Sequence, residues 1–302
     1  MLFSSCQQPT PSTEATNTAK ALLPDTVQRW YPPPPDPREQ RTYERFNRAE
    51  AAARLAHKIR DGQPLVVHIM VPLCDNDNQG IVPVPKRLGN GLNLKDNLYW
   101  GALYGVKTHF RKSKDWRLVS SQIYPDSTVL ERVVFFRQYS IQAKVYLVAD
   151  AYRGDQMQDC VYDVLGAVAG AIKRTMAMEE TELGLYGNAD LLVFNGHNGI
   201  LDFEPSYIYT KDNRVRDVAV IGCVSYRYFE DYLLRARGYP LLTTSNLMAP
   251  EAYVASALID AWATGQPDAN IRQAAGQAYH NYQKCGLRGA TNLFYSGWQD
   301  ME

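Results

Sequence analysis

An α/β fold, with a mainly parallel sheet flanked by helices on both faces, is what this sequence predicts. Three observations predict it. Residues 65–73 (LVVHIMVPL), 190–195 (DLLVFN) and 218–222 (VAVIG) are near-continuous apolar runs, the pattern of strands buried on both faces. Segments with helical periodicity lie between the first two runs and after the third, and alternation of strand and helix implies crossover connections. The last two runs each end in a glycine-containing turn with a chemically distinctive side chain, at the strand ends where open α/β sheets place their ligands.

The elements follow in order. Residues 1–37 read as a flexible tether rich in Pro, Ser and Thr, closing on Trp30, Tyr31 and Pro32 to Pro35; consecutive prolines favour an extended spacer. Residues 38–302 read as one domain. A helix is expected over 38–61, with Phe46, Ala49, Ala53 and Ala56 at helical spacing and Gly62 as its stop. After the first strand comes a loop rich in Asp, Asn, Gly and Pro over 74–94. A helix is then expected over 97–110, strands over 117–124, 133–139 and 144–150, and a long helix over 155–178. The two remaining apolar strands follow. A helix over 226–237, a strand over 240–245 and helices over 250–264 and 270–284 complete the reading. No internal repeat is visible.

Composition narrows the function. The 302 residues are 45% hydrophobic, which is ordinary for a globular chain, and 32 basic residues balance 32 acidic ones. That balance gives no electrostatic reason to expect nucleic acid. No apolar run is long enough to span a bilayer. Five cysteines occur, Cys6, Cys74, Cys160, Cys223 and Cys285, without a CxxC pair or zinc-ligand spacing, so neither a disulfide framework nor a metal is expected. The opening MLFSSC resembles the end of a bacterial lipoprotein signal, with a polar tract after the cysteine. If a longer signal precedes it, Cys6 is the lipidated residue and the chain is tethered to the cell envelope on the periplasmic side. The other reading is a cytoplasmic protein with a polar tail.

The chemistry-bearing pair is His197 and Cys223. Gly196-His197-Asn198-Gly199 follows one buried strand and Gly222-Cys223-Val224-Ser225 follows another, 223 − 197 = 26 residues apart. That separation suits one crossover between adjacent strands. A free thiol titrates at about 8.5 and is mostly protonated at neutral pH. A neighbouring imidazole can take its proton during attack and return a proton to the leaving group. Tight turns on both sides expose backbone N–H groups suited to an oxyanion. His68 reads as a satisfied core residue, and His57, His109 and His280 as helix residues near surfaces. Cys74, Cys160 and Cys285 read as structural, and the aromatic stretch at 97–105 as core packing or the wall of a cleft.

An apolar strand ending in Gly-His, followed by an apolar strand ending in a small residue and Cys, resembles the caspase-like cysteine peptidases: caspases, metacaspases, legumains, gingipains, clostripain and separase. The resemblance covers residues 65–264 and includes PLLTTSNLMAPEAY after the cysteine. It implies a caspase-hemoglobinase-like fold and a cysteine endopeptidase without metal or organic cofactor. Cys223 would be the nucleophile and His197 the general acid/base, acting on a peptide or protein substrate. Asn198 stands where the family has an oxyanion glycine. The oxyanion donors are therefore expected among Asn198, Gly199 and the Cys223 N–H. Asp75 and Asp77, in the loop after the first strand, are candidates for binding a basic substrate side chain, or simply turn residues. Two other functions fit: a non-catalytic caspase-fold scaffold of the cell envelope, and another thiol-dependent acyl transfer such as transpeptidation or amide hydrolysis. Oligomeric state is not legible in the sequence.

Overall fold

A computed structural model of the chain describes residues 43–125, 127–178 and 181–299. The tether expected over 1–37 and its Cys6 lie outside these residues. In chain order the elements are α1 (Ala49–Arg60), β1 (Leu65–Pro72), α2 (Val106–Lys112), β2 (Arg117–Ile123), β3 (Val129–Gln138), β4 (Lys144–Tyr152) and α3 (Met157–Val168). There follow β5 (Lys173–Met178), β6 (Thr181–Tyr186), β7 (Leu191–Asn195), β8 (Arg216–Ile221), α4 (Ser225–Ala236) and β9 (Gly238–Thr244). The chain closes with α5 (Ala252–Ala263), α6 (Asp268–Gln283), α7 (Leu287–Asn292) and β10 (Phe294–Tyr295).

Eight strands make one sheet in the order β10-β9-β8-β7-β1-β4-β3-β2, and β5 and β6 form a separate hairpin. The five central strands, β9 through β4 in that order, are parallel, while β2, β3 and β10 pair antiparallel at the edges. The sheet is thus mainly parallel with helices on both faces. Its core divides by strand parity. Val67, Ile69 and Val71 of β1 face α1, α2, α5 and α6, where Trp100, Phe110 and Trp262 are buried. Val66 and Met70 face α3 and α4, with Phe194 and Phe229. Each fully buried aliphatic or aromatic side chain stabilises the fold by roughly 1.5–3 kcal/mol relative to exposure. From β1 the chain passes to β2, β3 and β4 on one side of the sheet, and from β7 it passes to β8 and β9 on the other. The strand order thus reverses between β1 and β7, the place where open α/β sheets bind their ligands.

Three expected elements differ. The first helix starts at Ala49 rather than near residue 38, and it buries Ala51 and Leu55 while Ala49, Ala53 and Ala56 are exposed. Residues 43–48 are not helical: Arg48 reaches Asp217 and Asp268, and Trp298 donates to the Phe46 carbonyl, while residues 38–42 lie outside the described residues. Residues 97–105 are turns, not helix. A Cβ on Gly101 would stand 2.2 Å from the Lys95 carbonyl oxygen, and one on Gly105 would stand 2.5 Å from Trp100. The buried Asn97 side chain also binds both backbone groups of Cys74, at 3.0 and 2.8 Å, holding the end of β1 in place. The long helix over 155–178 stops at Val168. Gly170 turns the chain at φ +71°, and residues 173–178 become the first arm of the β5–β6 hairpin, with only Met176 buried. The hairpin, α7 and β10 have no counterpart in the sequence reading.

Candidate active site

β7 and β8 are parallel neighbours, with Asn195 opposite Ile221. His197 and Cys223 each follow two residues later, at the same level of the same sheet edge. The two turns touch through glycines. The Gly196 N–H donates to the Ile221 carbonyl at 3.1 Å. A Cβ on Gly222 would come within 2.8 Å of the Gly196 carbonyl oxygen, so a side chain there would push the turns apart. Asn198 ties them further. Its Nδ2 donates to the Cys223 carbonyl at 2.9 Å, and its Oδ1 accepts from the Ile200 N–H at 3.2 Å, capping a 3-10 turn at Gly199–Leu201.

His197 is 6% exposed. Its Nε2 lies 2.8 Å from Asp202 Oδ2, which also accepts from the Gly80 N–H at 3.2 Å. The carboxylate thus fixes one ring nitrogen and clasps the loop after β1 to the histidine turn. With Nε2–H directed at a carboxylate, Nδ1 carries the free lone pair. Asp202 was not expected from the sequence. The signal was its place as the one carboxylate in the turn that follows His197.

Cys223 is half-buried, whereas Cys74 and Cys160 are fully buried and Cys285 is exposed. Its Sγ stands 3.4 Å from the Met248 N and 3.5 Å from the Met248 carbonyl oxygen, so the loop after β9 forms one wall of the site. Burial pushes the Cys74 thiol up to about 11 and the Cys160 thiol well above its ordinary value. Both therefore remain protonated and enclosed at neutral pH. Tyr99 is buried beside Cys74. Burial, and then the proximity of Cys74, pushes its hydroxyl well above the usual phenol range, with Cys223 and Glu251 adding to the effect.

The residue after the cysteine is strained. Val224 has φ +49° and ψ 33°, a left-handed conformation that costs a β-branched residue roughly 1–3 kcal/mol. The surroundings over-determine it. The Val224 N–H donates to the Asn246 carbonyl at 3.0 Å. The Ser225 N–H donates to Thr244 Oγ1 at 3.1 Å, and Ser225 Oγ donates to the Val220 carbonyl at 2.7 Å. The result is a sharp strand–turn–helix elbow that lifts Cys223 to the sheet edge. A Val224→Gly change should therefore raise unfolding free energy by about 1 kcal/mol, since relief of left-handed strain slightly exceeds the added chain entropy. Urea unfolding checks this, and a loss of stability would contradict it.

The expected oxyanion group is split. The Asn198 side chain is committed to the Cys223 carbonyl, whereas the backbone N–H groups of Asn198, Gly199 and Cys223 donate to no backbone acceptor among the described residues. Among the described residues no hydrogen bond links Asp75 or Asp77 to His197 or Cys223. Asp75 is buried and accepts from the Asp77 N–H and from Asn78 Nδ2, both at 3.0 Å. Both aspartates line a cavity of about 570 Å³ with Lys86 and Asp155. A neighbouring cavity of about 360 Å³, lined by Asn78, Asp155, Asp159 and Asp202, touches the partner of His197 directly.

Among the described residues no cluster of His, Cys, Asp and Glu could hold a metal ion, and no helix is long and apolar enough to cross a membrane. Comparison of the chain with protein-family models, with curated proteins and with solved structures found no match.

Proposed function

We propose that the protein is a cysteine peptidase of caspase-like fold. The observation that carries the reading is the placement of His197 and Cys223 at one level on adjacent parallel strand ends, with the imidazole oriented by Asp202. Nδ1 of His197 takes the Cys223 proton as sulfur attacks the scissile carbonyl carbon. The resulting oxyanion is met by backbone N–H groups at Cys223 and at the Asn198–Gly199 turn. His197 then protonates the leaving amine, and a thioester remains on Cys223. Water, deprotonated by His197, hydrolyses the thioester and frees the thiol. Asn198 acts as a strut between the two turns, leaving its main chain to take the oxyanion role. The acidic cavity against Asp202 suits a basic substrate side chain. A lipid on Cys6 would place the enzyme at the bacterial cell envelope.

A second reading keeps the fold as a binding module. It is favoured by the engagement of Cys223 Sγ with both main-chain groups of Met248. Incubation of the purified chain with a peptide library separates the two. Cleavage that disappears in Cys223→Ala supports the peptidase, and cleavage that persists in that variant overturns it.

Asp202 adds a sharper test. Asp202→Asn can present an amide N–H to Nε2 and so move the ring proton to Nδ1, leaving no base toward the thiol. The expected result is a fall in kcat of about 10²-fold, the low end of what general acid–base catalysis contributes, with KM little changed. The pH–rate profile should shift as well. Unaltered kcat would show that Asp202 does not orient His197.

A further inference from the structure

At the opposite end of the sheet from Cys223, α1, the β5–β6 hairpin and the segments entering β7 and β8 line an open cavity of about 740 Å³. Arg54, His57, Lys58, Glu182, Asp190 and Arg214 line it. Most of these charges already have partners. Lys58 pairs with Asp190 at 2.6 Å, and Arg54 with Glu50 at 2.8 Å. Nearby, Arg216 and Lys173 share one carboxylate, Asp212, each at 2.6 Å. Arg214 is the cation left over. Its Nε is buried without a hydrogen-bond partner, and its guanidinium enters no ion pair among the described residues. Arg214 also borders a small inner recess of about 10 Å³, together with Arg54 and Arg216. Burial, and then the positive charges of Arg54 and Arg216, push the Arg214 guanidinium below its ordinary value, against the opposing pull of Asp190 and Asp212.

We infer that this cavity is a second site, which binds a small oxyanion, a phosphate or carboxylate group, on the Arg214 guanidinium, with the charge of Arg54, itself held by Glu50 and the Val215 carbonyl, alongside. A guanidinium offers two parallel N–H donors to such a group. A bound anion would partner the buried Nε–H and neutralise the excess charge where three arginines converge. An unpartnered buried donor is costly, so its satisfaction by a ligand is a source of affinity. The open volume beyond the recess leaves room for the rest of a small molecule. Glu182, on the exposed hairpin wall, would disfavour a second negative charge at the rim and so selects for compact anions. The site is remote from the His197–Cys223 pair and does not depend on its chemistry.

The test uses the full chain at low ionic strength, titrated with inorganic phosphate and, separately, with acetate. Binding is read by calorimetry and by the Arg214 Nε–H resonance in arginine-labelled protein. Saturable binding of either anion with a shift of that resonance is expected, and the anion that binds identifies the oxyanion class. Arg214→Gln should weaken binding roughly tenfold or more, the loss expected for a charge-assisted hydrogen bond. It should leave unliganded stability unchanged or higher, because it removes a crowded charge. Lys86→Gln, outside the cavity, should bind as the parent does. The inference is overturned if neither anion saturates or if Arg214→Gln binds like the parent. An equal loss in Lys86→Gln would overturn it too. Should Arg214→Gln not fold, an unmoved Arg214 Nε–H resonance in the parent protein overturns it alone.

Discussion

If the protein is the cysteine peptidase proposed above, Cys223→Ala is expected to lower peptide cleavage by at least about 10³–10⁴-fold, and His197→Ala to do nearly the same, because a nucleophile and its base act as one unit. The two changes should not add: the double variant should be as inactive as either single one. They should differ in labelling by a thiol-reactive probe. Cys223→Ala removes the proposed nucleophilic sulfur, whereas His197→Ala leaves it in place without its proposed base. Cys285, exposed at the end of α6, reacts in both variants and serves as the internal reference. Both proteins should fold. His197 contributes one side-chain contact to a turn otherwise held by glycine packing and by Asn198. Cys223→Ala removes only the sulfur contacts with Met248. Peptide cleavage that survives Cys223→Ala would mean that the activity resides elsewhere.

The strands that build this site were readable because burial on both faces forces an apolar run. LVVHIMVPL, DLLVFN and VAVIG became β1, β7 and β8 with ends shifted by one or two residues. The pairing of β7 with β8, which sets His197 and Cys223 two residues beyond adjacent strand ends, followed from the short crossover. What stayed hidden was contact at long range. Met248 meets Cys223 across 25 residues of chain, and nothing in a loop sequence marks which carbonyl will face a thiol. Asp202 was closer at hand, but a lone carboxylate in a turn has no periodicity. The β5 strand was lost for another reason. Lys173, Arg174, Met176, Ala177 and Met178 are all good helix formers, and tertiary packing of Met176 against the core overrode that preference. Local propensity alone could not have distinguished the hairpin from a longer α3.

His68 illustrates how a buried histidine can carry stability rather than catalysis. It sits in the middle of β1 with no exposed surface. Its Nδ1 accepts from the Tyr186 N–H at 3.0 Å, and its Nε2 lies 2.9 Å from Asp150 Oδ2. Arg132, directly opposite Asp150 in the β3–β4 ladder, donates to both carboxylate oxygens at 2.6 Å. Asp150→Ala would leave the Arg132 guanidinium buried and unpaired and the His68 Nε2–H without an acceptor. The expected destabilisation is about 3–5 kcal/mol, a large fraction of the total stability of a typical domain. Replacing both charges together, Arg132→Met with Asp150→Leu, should cost far less, because no unpaired charge remains. The difference between single and double variants in urea unfolding isolates the charge effect, and equal losses would contradict it.

The same network sets an acid limit. Burial holds His68 below its ordinary range against the pull of Asp150, with Arg132 adding to the depression. Burial alone would raise the Asp150 carboxyl, but Arg132 and His68 outweigh it and hold the group well below the usual carboxylate range. Both folded values lie below the unfolded ones, so in each case the unfolded chain binds the proton more readily. The contribution is therefore complete above the unfolded value and erodes as pH falls. For His68 the loss begins near pH 6.5, at up to about 1.4 kcal/mol per pH unit; for Asp150 it begins only near pH 4. His109, also depressed by burial, acts with the same sign. His68→Gln keeps a neutral N–H donor toward Asp150 but cannot titrate. Its stability between pH 7 and 5 should fall less steeply than that of the parent, although its absolute stability is lower. Parallel pH profiles would assign the acid sensitivity to groups other than His68.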